Sequence, residues 1–241
     1  MSGHSKWSTI KRQKGAADVK RGLTFTKLSN AITIAVKQGG GIGDPTQNFR
    51  LRLAVDAAKT ANMPKENVER AIKRALGKEA GEMEEVIYEG FAPGGGVSII
   101  IEAITDNSQR TTSFIKSIFN KAGASFGQPG SVAYQFKQVG QIEVKKSGKS
   151  YDDIFELAVE SGAEDIEDLE EEVFVYTTVT DMTKVKDALI GRGIEVIGAD
   201  IIRKPIVTVE VIDDAKLSKI KNFVDTIEEL DDVQKVYTNI A

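Results

Sequence analysis

The sequence predicts an α+β protein in which a small helical bundle precedes two α/β parts. Apolar residues recur every three or four positions up to residue 77, and beyond it the alternation typical of strands appears between helical segments. The charge changes at the same place. Residues 1–78 hold sixteen Lys and Arg against five Asp and Glu, a net charge of +11, whereas residues 79–241 hold sixteen against thirty-one, a net charge of −15. The overall charge of −4 therefore hides a basic N-terminal part.

Three amphipathic helices are predicted between residues 16 and 77. The first has apolar residues at positions 25, 28, 32 and 36 and ends at the glycines of residues 39–41, and Asp44 is placed as the N-cap of the second. The third runs from Pro64 to Gly77. The residues predicted to face the core are Phe49, Leu53, Ala57 and Ala61 in the second helix and Val68, Ala71, Ile72, Ala75 and Leu76 in the third.

The acidic part is predicted to form two α/β domains. Residues 141–202 have the order strand, helix, strand, strand, helix, strand, which is that of a ferredoxin-like fold. Strands at 86–88, 97–104 and 131–136 precede it, and a strand at 206–212, a helix and a last strand follow it. Because that last piece is too small to stand alone, we expect it to complete the first sheet. The predicted domains are 1–78, 79–137 with 204–241, and an inserted 138–203; contiguous domains in series are the alternative.

Composition and motifs argue against several classes of protein. The chain has no cysteine, which removes disulfides and thiolate metal sites, and no apolar run approaches the roughly 18 residues of a membrane span. No catalytic signature is present, so we expect no enzyme, no cofactor and no metal site. The acidic segment 164–172 is interpreted as a solvated strand edge rather than a cation site.

The basic part is the candidate nucleic-acid-binding region. Long cationic side chains clustered in this way suit phosphate, because releasing condensed counterions drives the association. A solvated helix face is the alternative. Trp7, the only tryptophan, either stacks on an unpaired base or docks on the bundle. The predicted contacts are Lys6, Trp7, Lys11, Arg12, Lys14, Lys20, Arg21, Arg70, Lys73 and Arg74.

A second group is a candidate for contacts with a ribosome or a nucleic-acid backbone. The glycines are more simply a helix C-cap than a phosphate cradle, since the lysine of a P-loop is missing. An exposed methionine at the tip of the bundle would suit an irregular surface. The only histidine is expected to face solvent or phosphate. The group consists of His4, Gly39, Gly40, Gly41, Met63 and Lys65.

Several motifs resemble the YebC/PmpR family. They are MSGHSKW at residues 1–7, KRQKG at 11–15, the glycines at 39–41 with Asp44-Pro45, NMPK at 62–65 with ERAI at 69–72, YEG at 88–90, TDN at 105–107 and GSVAY at 130–134. Two departures are small: Ile42-Gly43 follows the glycines, where the family often goes more directly to Asp-Pro, and Ala92-Pro93 replaces a more usual Gly-Pro. The resemblance spans the chain and leaves the basic positions untouched.

The resemblance implies a three-domain cytoplasmic bacterial protein with no catalytic residues. Members of the family are described as DNA-binding transcriptional regulators; others, including the mitochondrial activator of cytochrome oxidase translation, act in translation, and bacterial relatives are linked to ribosomes stalled on proline runs. We therefore expect a non-enzymatic, nucleic-acid-binding regulator of gene expression, with DNA or with ribosomal or transfer RNA as partner and no membrane. A ribosome-associated translation factor and a protein–protein adaptor are the alternatives.

Overall fold

The computed structural model describes residues 18–77, 83–169 and 171–241, with side chains from Arg21 onward. Its elements are, in chain order, α1 (Asp18–Gln38), α2 (Phe49–Thr60), α3 (Lys65–Leu76), β1 (Glu84–Phe91), β2 (Ser98–Thr105), α4 (Ser108–Ala122), β3 (Ser125–Phe126), a 3₁₀ helix (Ala133–Gln135), β4 (Phe136–Lys145), α5 (Tyr151–Ser161), β5 (Asp165–Asp168), β6 (Glu172–Thr177), α6 (Met182–Gly191), β7 (Glu195–Pro205), α7 (Asp214–Glu228) and β8 (Val233–Thr238).

The chain divides into two compact units. One contains the chain up to Phe136 together with Pro205–Ala241, and the other contains Lys137–Lys204. The chain thus leaves the first unit and returns to it, which agrees with the predicted α+β fold in which one α/β part is inserted in another. The boundary at residue 78 between a separate helical domain and the first sheet stays a prediction.

Helices α1, α2 and α3 form the N-terminal bundle, and the predicted face of α2 is wrong. Its buried residues are Leu51, Val55 and Ala58, whereas Ala57 is exposed. Apolar residues surround most of α2, so spacing alone does not single out the inner side. The predicted faces of α1 and α3 agree with the structure except at Leu76, which is 56% exposed. The buried core consists of Ile32, Ala35, Val36, Leu51, Val55, Ala58, Met63, Val68 and Ala71.

The N-cap of α2 is Asn48 rather than the predicted Asp44. The side-chain oxygen of Asn48 accepts a hydrogen bond from the Leu51 N–H, and its amide nitrogen donates to the carbonyls of Ala35 and Ile42. Asp44 instead caps the preceding turn, where the backbone N–H and the hydroxyl of Thr46 hold the pKa of Asp44 below its ordinary value. A buried amide therefore connects the end of α1, the glycine loop and the start of α2.

The first sheet has the strand order β3-β1-β2-β8 with antiparallel neighbours. Central strand β2 is buried along nearly its whole length. Helices α4 and α7 supply Phe119 and Phe223, whose rings meet edge to face with centroids 4.9 Å apart. This sheet and its two helices form one continuous apolar core.

The strand predicted at 131–136 is wrong, because most of this segment is a loop and a 3₁₀ helix. Its backbone N–H groups bind the buried carboxylate of Glu89 instead of a neighbouring strand. Gly130 donates to Oε1 at 2.7 Å, and Val132 and Ala133 donate to Oε2 at 2.7 and 2.8 Å. A single side chain of β1 therefore satisfies two N–H groups of the segment, together with that of the preceding Gly130, and replaces the strand pairing.

The strand predicted at 206–212 is reduced to one bridge, between Val209 and Ile240 in parallel orientation. Val209 donates to the Asn239 carbonyl and accepts from the Ala241 N–H. Because the partner segment 239–241 provides only one bridged residue, no full strand forms along 206–212.

The inserted unit has the predicted βαββαβ order, with β4, α5, β5, β6, α6 and β7 in sequence and the strand order β5-β6-β4-β7. This is the ferredoxin-like arrangement. Both faces of β6 are buried: Val173 and Val175 lie on one face, and Phe174 and Tyr176 lie on the other. Helices α5 and α6 occupy the two helical positions of the predicted order.

Candidate nucleic-acid interface

The structure describes the side chains of four of the ten residues predicted to bind nucleic acid: Arg21, Arg70, Lys73 and Arg74, all exposed. Lys20 lies within α1, and its side chain is outside the described part. The remaining predicted residues, Lys6, Trp7, Lys11, Arg12 and Lys14, lie outside the described residues, as does His4.

Helix α3 presents a basic side to solvent. Arg70, Lys73 and Arg74 are exposed, while Val68 and Ala71 are buried in the bundle. Lys73 and Arg74 occupy the last turn, where the unpaired carbonyls at the C-terminus of a helix favour positive side chains. Burial of Val68 and Ala71 thus fixes which side of α3 faces the core, and the cations on the other side also stabilise the C-terminal end of the helix.

Arg74 is held in place by a buried hydroxyl. Its Nη2 donates to Thr33 Oγ1 at 3.1 Å, and that hydroxyl, which is fully buried, donates to the Ser29 carbonyl at 2.8 Å. Within residues 18–77, 83–169 and 171–241, no carboxylate pairs with Arg70 or Arg74. The two guanidinium groups therefore keep their charge available for an anionic ligand.

A groove of about 250 Å³ lies beside these two arginines, and neither its position nor its lining was predicted. Apolar side chains, two hydroxyls, one amide and the arginines line it. Phe25 was predicted only as a core residue, and nothing in the spacing of the polar residues indicates that they meet. The lining residues are Phe25, Thr26, Ser29, Met63, Asn67, Arg70, Ala71 and Arg74.

The exposure expected for Met63 is wrong, because only 7% of its surface is exposed. Its N–H donates to the Ala58 carbonyl, which holds the turn after α2 close to the bundle and directs Met63 into the core. Lys65 is exposed on the first turn of α3, and its Nζ lies 3.4 Å from Glu69 Oε1. Such an exposed pair is weak, so Lys65 remains accessible to a partner.

The glycine loop is the C-cap of α1, as the simpler interpretation predicted. The N–H groups of Gly39, Gly40 and Gly41 donate to the carbonyls of Ala35, Lys37 and Val36. Gly40 and Gly41 have φ of 72° and 77°, a left-handed conformation that favours glycine. Since these three N–H groups are already bonded within the helix end, they do not form a phosphate cradle.

The acidic segment 164–168 forms ion pairs on the edge strand β5. Lys137 lies 2.9 Å from Glu164, Lys146 lies 2.6 Å from Asp168, and Lys204 pairs with Asp165. Among the described residues, no group of three metal-ligating side chains comes together. In the same part of the chain, none of the helices is long and apolar enough to cross a bilayer.

Comparison with known proteins covers nearly the whole chain. Residues 5–78 match the family described as TACO1/YebC protein N-terminal domain, and residues 83–240 match the one described as TACO1/YebC second and third domain. Among solved structures, the crystal structure of a conserved hypothetical protein from Aquifex aeolicus matches with a TM-score of 0.85 and 43% sequence identity. The match covers 93% of this chain and 91% of the Aquifex chain.

Curated relatives align with this chain over nearly their whole length. A protein of Chlorobaculum tepidum is 48% identical over 242 residues, and one of Roseiflexus castenholzii is 46% identical over 245; both alignments cover 100% of this chain and 95% of the relative. Both relatives are named probable transcriptional regulatory protein. From this agreement along its full length, the chain belongs to the TACO1/YebC family.

Proposed function

We propose that the protein is a non-enzymatic regulator of gene expression that binds nucleic acid, and in particular DNA, through its N-terminal bundle. The observation that carries this proposal is the exposed basic side of α3, on which Arg70 and Arg74 have no carboxylate partner within the described residues. The names of the curated relatives support a role in transcription.

The energetics follow from the charge of the polymer. Each phosphate that a Lys or Arg neutralises releases condensed counterions, so affinity falls with salt in proportion to the number of contacts. The net charge of −15 on residues 79–241 repels phosphate and would turn the basic part toward the polymer. Lys6, Lys11, Arg12, Lys14, Lys20 and Arg21 would extend the contact beyond α3.

A salt titration of the full chain on duplex DNA and on structured RNA tests the proposal. Exchanging Arg70, Lys73 and Arg74 for Gln removes three contacts and is expected to reduce the slope of log K against log salt by about three. The matched control exchanges three exposed lysines of the acidic part, Lys121, Lys184 and Lys219, for Gln. The proposal is wrong if both triple variants lose affinity equally, or if wild-type binding does not depend on salt.

Crosslinking in cells separates the possible roles. Irradiation followed by sequencing of the attached nucleic acid is expected to recover promoter DNA if the protein regulates transcription. Recovery of ribosomal or transfer RNA would point instead to a ribosome-associated translation factor relieving stalling on proline runs. A stable protein complex with no crosslinked nucleic acid would point to an adaptor and would contradict the proposed function.

A further inference from the structure

We infer that the groove between α1 and α3 receives one unpaired nucleotide of the bound nucleic acid. The inference rests on the proposed function and specifies the form of nucleic acid that the bundle recognises. It combines the two features already described separately, the pair of arginines and the groove of mixed polar and apolar lining next to them.

The arginines supply the phosphate side of the site. Arg70 and Arg74 lie one helical turn apart on α3, and both line the groove. Arg74 is oriented before any ligand arrives, because Thr33 accepts one of its N–H groups and is itself fixed to the Ser29 carbonyl. A guanidinium held in this way has four N–H donors left for phosphate oxygens and loses little conformational entropy on binding.

The remaining lining supplies the base side. Phe25 is the partly buried aromatic side chain of the lining, and Met63 and Ala71 border the groove as core residues of the bundle. Ser29 and Asn67 provide the donors and acceptors that the edge of a base needs. The volume of about 250 Å³ lies below the roughly 300–1,000 Å³ of a pocket for a larger ligand. The groove therefore has room for one flat, base-sized group.

Only an unpaired nucleotide presents such a group. In a duplex the faces of the bases are covered by stacking and their edges by pairing, so a duplex offers the arginines its phosphates but leaves the groove empty. Single strands, loops and melted DNA leave bases free to stack on an aromatic side chain. The groove thus favours these forms over a regular duplex.

Binding of the full chain to a short single strand and to the blunt duplex of the same sequence tests the inference, each probe prepared as RNA and as DNA. Phe25→Leu keeps apolar volume in the core but removes the aromatic ring, and Asn67→Leu fills the groove. Each is expected to weaken binding of the single strand about ten-fold and to change duplex binding less than two-fold. Lys59→Gln, which removes an exposed charge of α2 outside the groove, is the control and should affect both probes alike.

Thr33 acts as a positioning residue and has its own test. Thr33→Val keeps the shape of the side chain but removes the hydroxyl, so Arg74 is no longer oriented and single-strand affinity should fall about three-fold. Thr33→Ser retains the hydroxyl and should restore binding. If Val and Ser behave alike, Thr33 does not position Arg74.

Two failures can be told apart. Salt-dependent binding of both probes, with no selective loss in Phe25→Leu and Asn67→Leu, would overturn the nucleotide site and leave the proposed function standing. Absence of salt-dependent binding by the wild-type protein would overturn the proposed function itself. A 2-aminopurine in the single strand gives a further readout, since its fluorescence should change on binding the wild type and not on binding Asn67→Leu.

Discussion

Asn48 is expected to be the most sensitive polar side chain of the N-terminal bundle. It is 5% exposed and makes three hydrogen bonds: one caps α2 through the Leu51 N–H, and two join its amide nitrogen to the carbonyls of Ala35 and Ile42, at 2.9 and 3.0 Å. The same side chain therefore fixes the end of α1, the glycine loop and the beginning of α2. Losing it should loosen the support on which α3 presents its arginines.

The expected cost follows from these bonds. An Asn N-cap contributes about 1 kcal/mol, and each buried amide–carbonyl bond contributes about 1 kcal/mol net. Asn48→Ala should lower the free energy of unfolding of the bundle by about 3 kcal/mol, and Asn48→Ser, which can still cap, by about 2 kcal/mol. The matched control is Asn107, whose side chain caps α4 through the Arg110 N–H; Asn107→Ala should cost about 1 kcal/mol.

Hydrogen–deuterium exchange of the amides of α1, α2 and α3 is the appropriate assay, because it reports opening of the bundle separately from the two sheets. Exchange in α2 should speed up in the order Asn48→Ser, then Asn48→Ala, and should be unchanged in Asn107→Ala. If Asn48→Ser exchanged like the wild type, the two bonds to α1 and the loop would contribute nothing and the reasoning would fail.

Three further predictions concern the two sheets. Glu89→Gln replaces one carboxylate oxygen by an NH₂ group and leaves one of the three N–H groups without an acceptor. Urea unfolding should show a loss of about 1–3 kcal/mol in the free energy of unfolding, against less than about 1 kcal/mol for the exposed Glu85→Gln. A methyl group at Gly90 would lie 2.5 Å from the Ser125 carbonyl oxygen. Calorimetry of Gly90→Ala should therefore show a loss of about 1–3 kcal/mol in the free energy of unfolding. The control Gly22→Ala has open space around the added methyl in α1 and should gain about 0.5–1 kcal/mol. Burial, reinforced by the Glu167 carboxylate, raises the pKa of Tyr176 well above the 10.0 of a free phenol. Above pH 10 the folded state therefore keeps a proton that the unfolded state releases, and the free energy of unfolding falls as the pH rises. Unfolding of Tyr176→Phe measured across this pH range should show a smaller fall.

Much of the fold could be predicted because its signals are local. Helix α5 lies between Ser150, which forms a capping box with Asp153, and Gly162 in a left-handed conformation, and these residues determine both its ends. The alternation of apolar residues likewise indicated the inserted ferredoxin-like unit. At the candidate site, the basic side of α3 was predictable for the same reason, since Arg70, Lys73 and Arg74 follow helical spacing.

Features that depend on distant residues were not predictable in this way. The segment 131–136 differs from its predicted strand because Glu89, some forty residues earlier, accepts hydrogen bonds from the N–H groups of Val132 and Ala133. Met63 is buried rather than exposed because the turn after α2 brings it against the other two helices. In each case contacts between separate elements outweigh the local preference.

The sequence by itself determined the separation of charge, the kinds of helix and strand, and the cations that α3 exposes, since these depend on composition and on spacing along one element. Only the tertiary structure decided which side of α2 is buried, that Thr33 holds Arg74 from 41 residues away, and that both arginines border a groove that Phe25 also lines. The physical reason is that a groove and a hydrogen bond between helices exist only once packing has brought together side chains that the chain itself keeps apart.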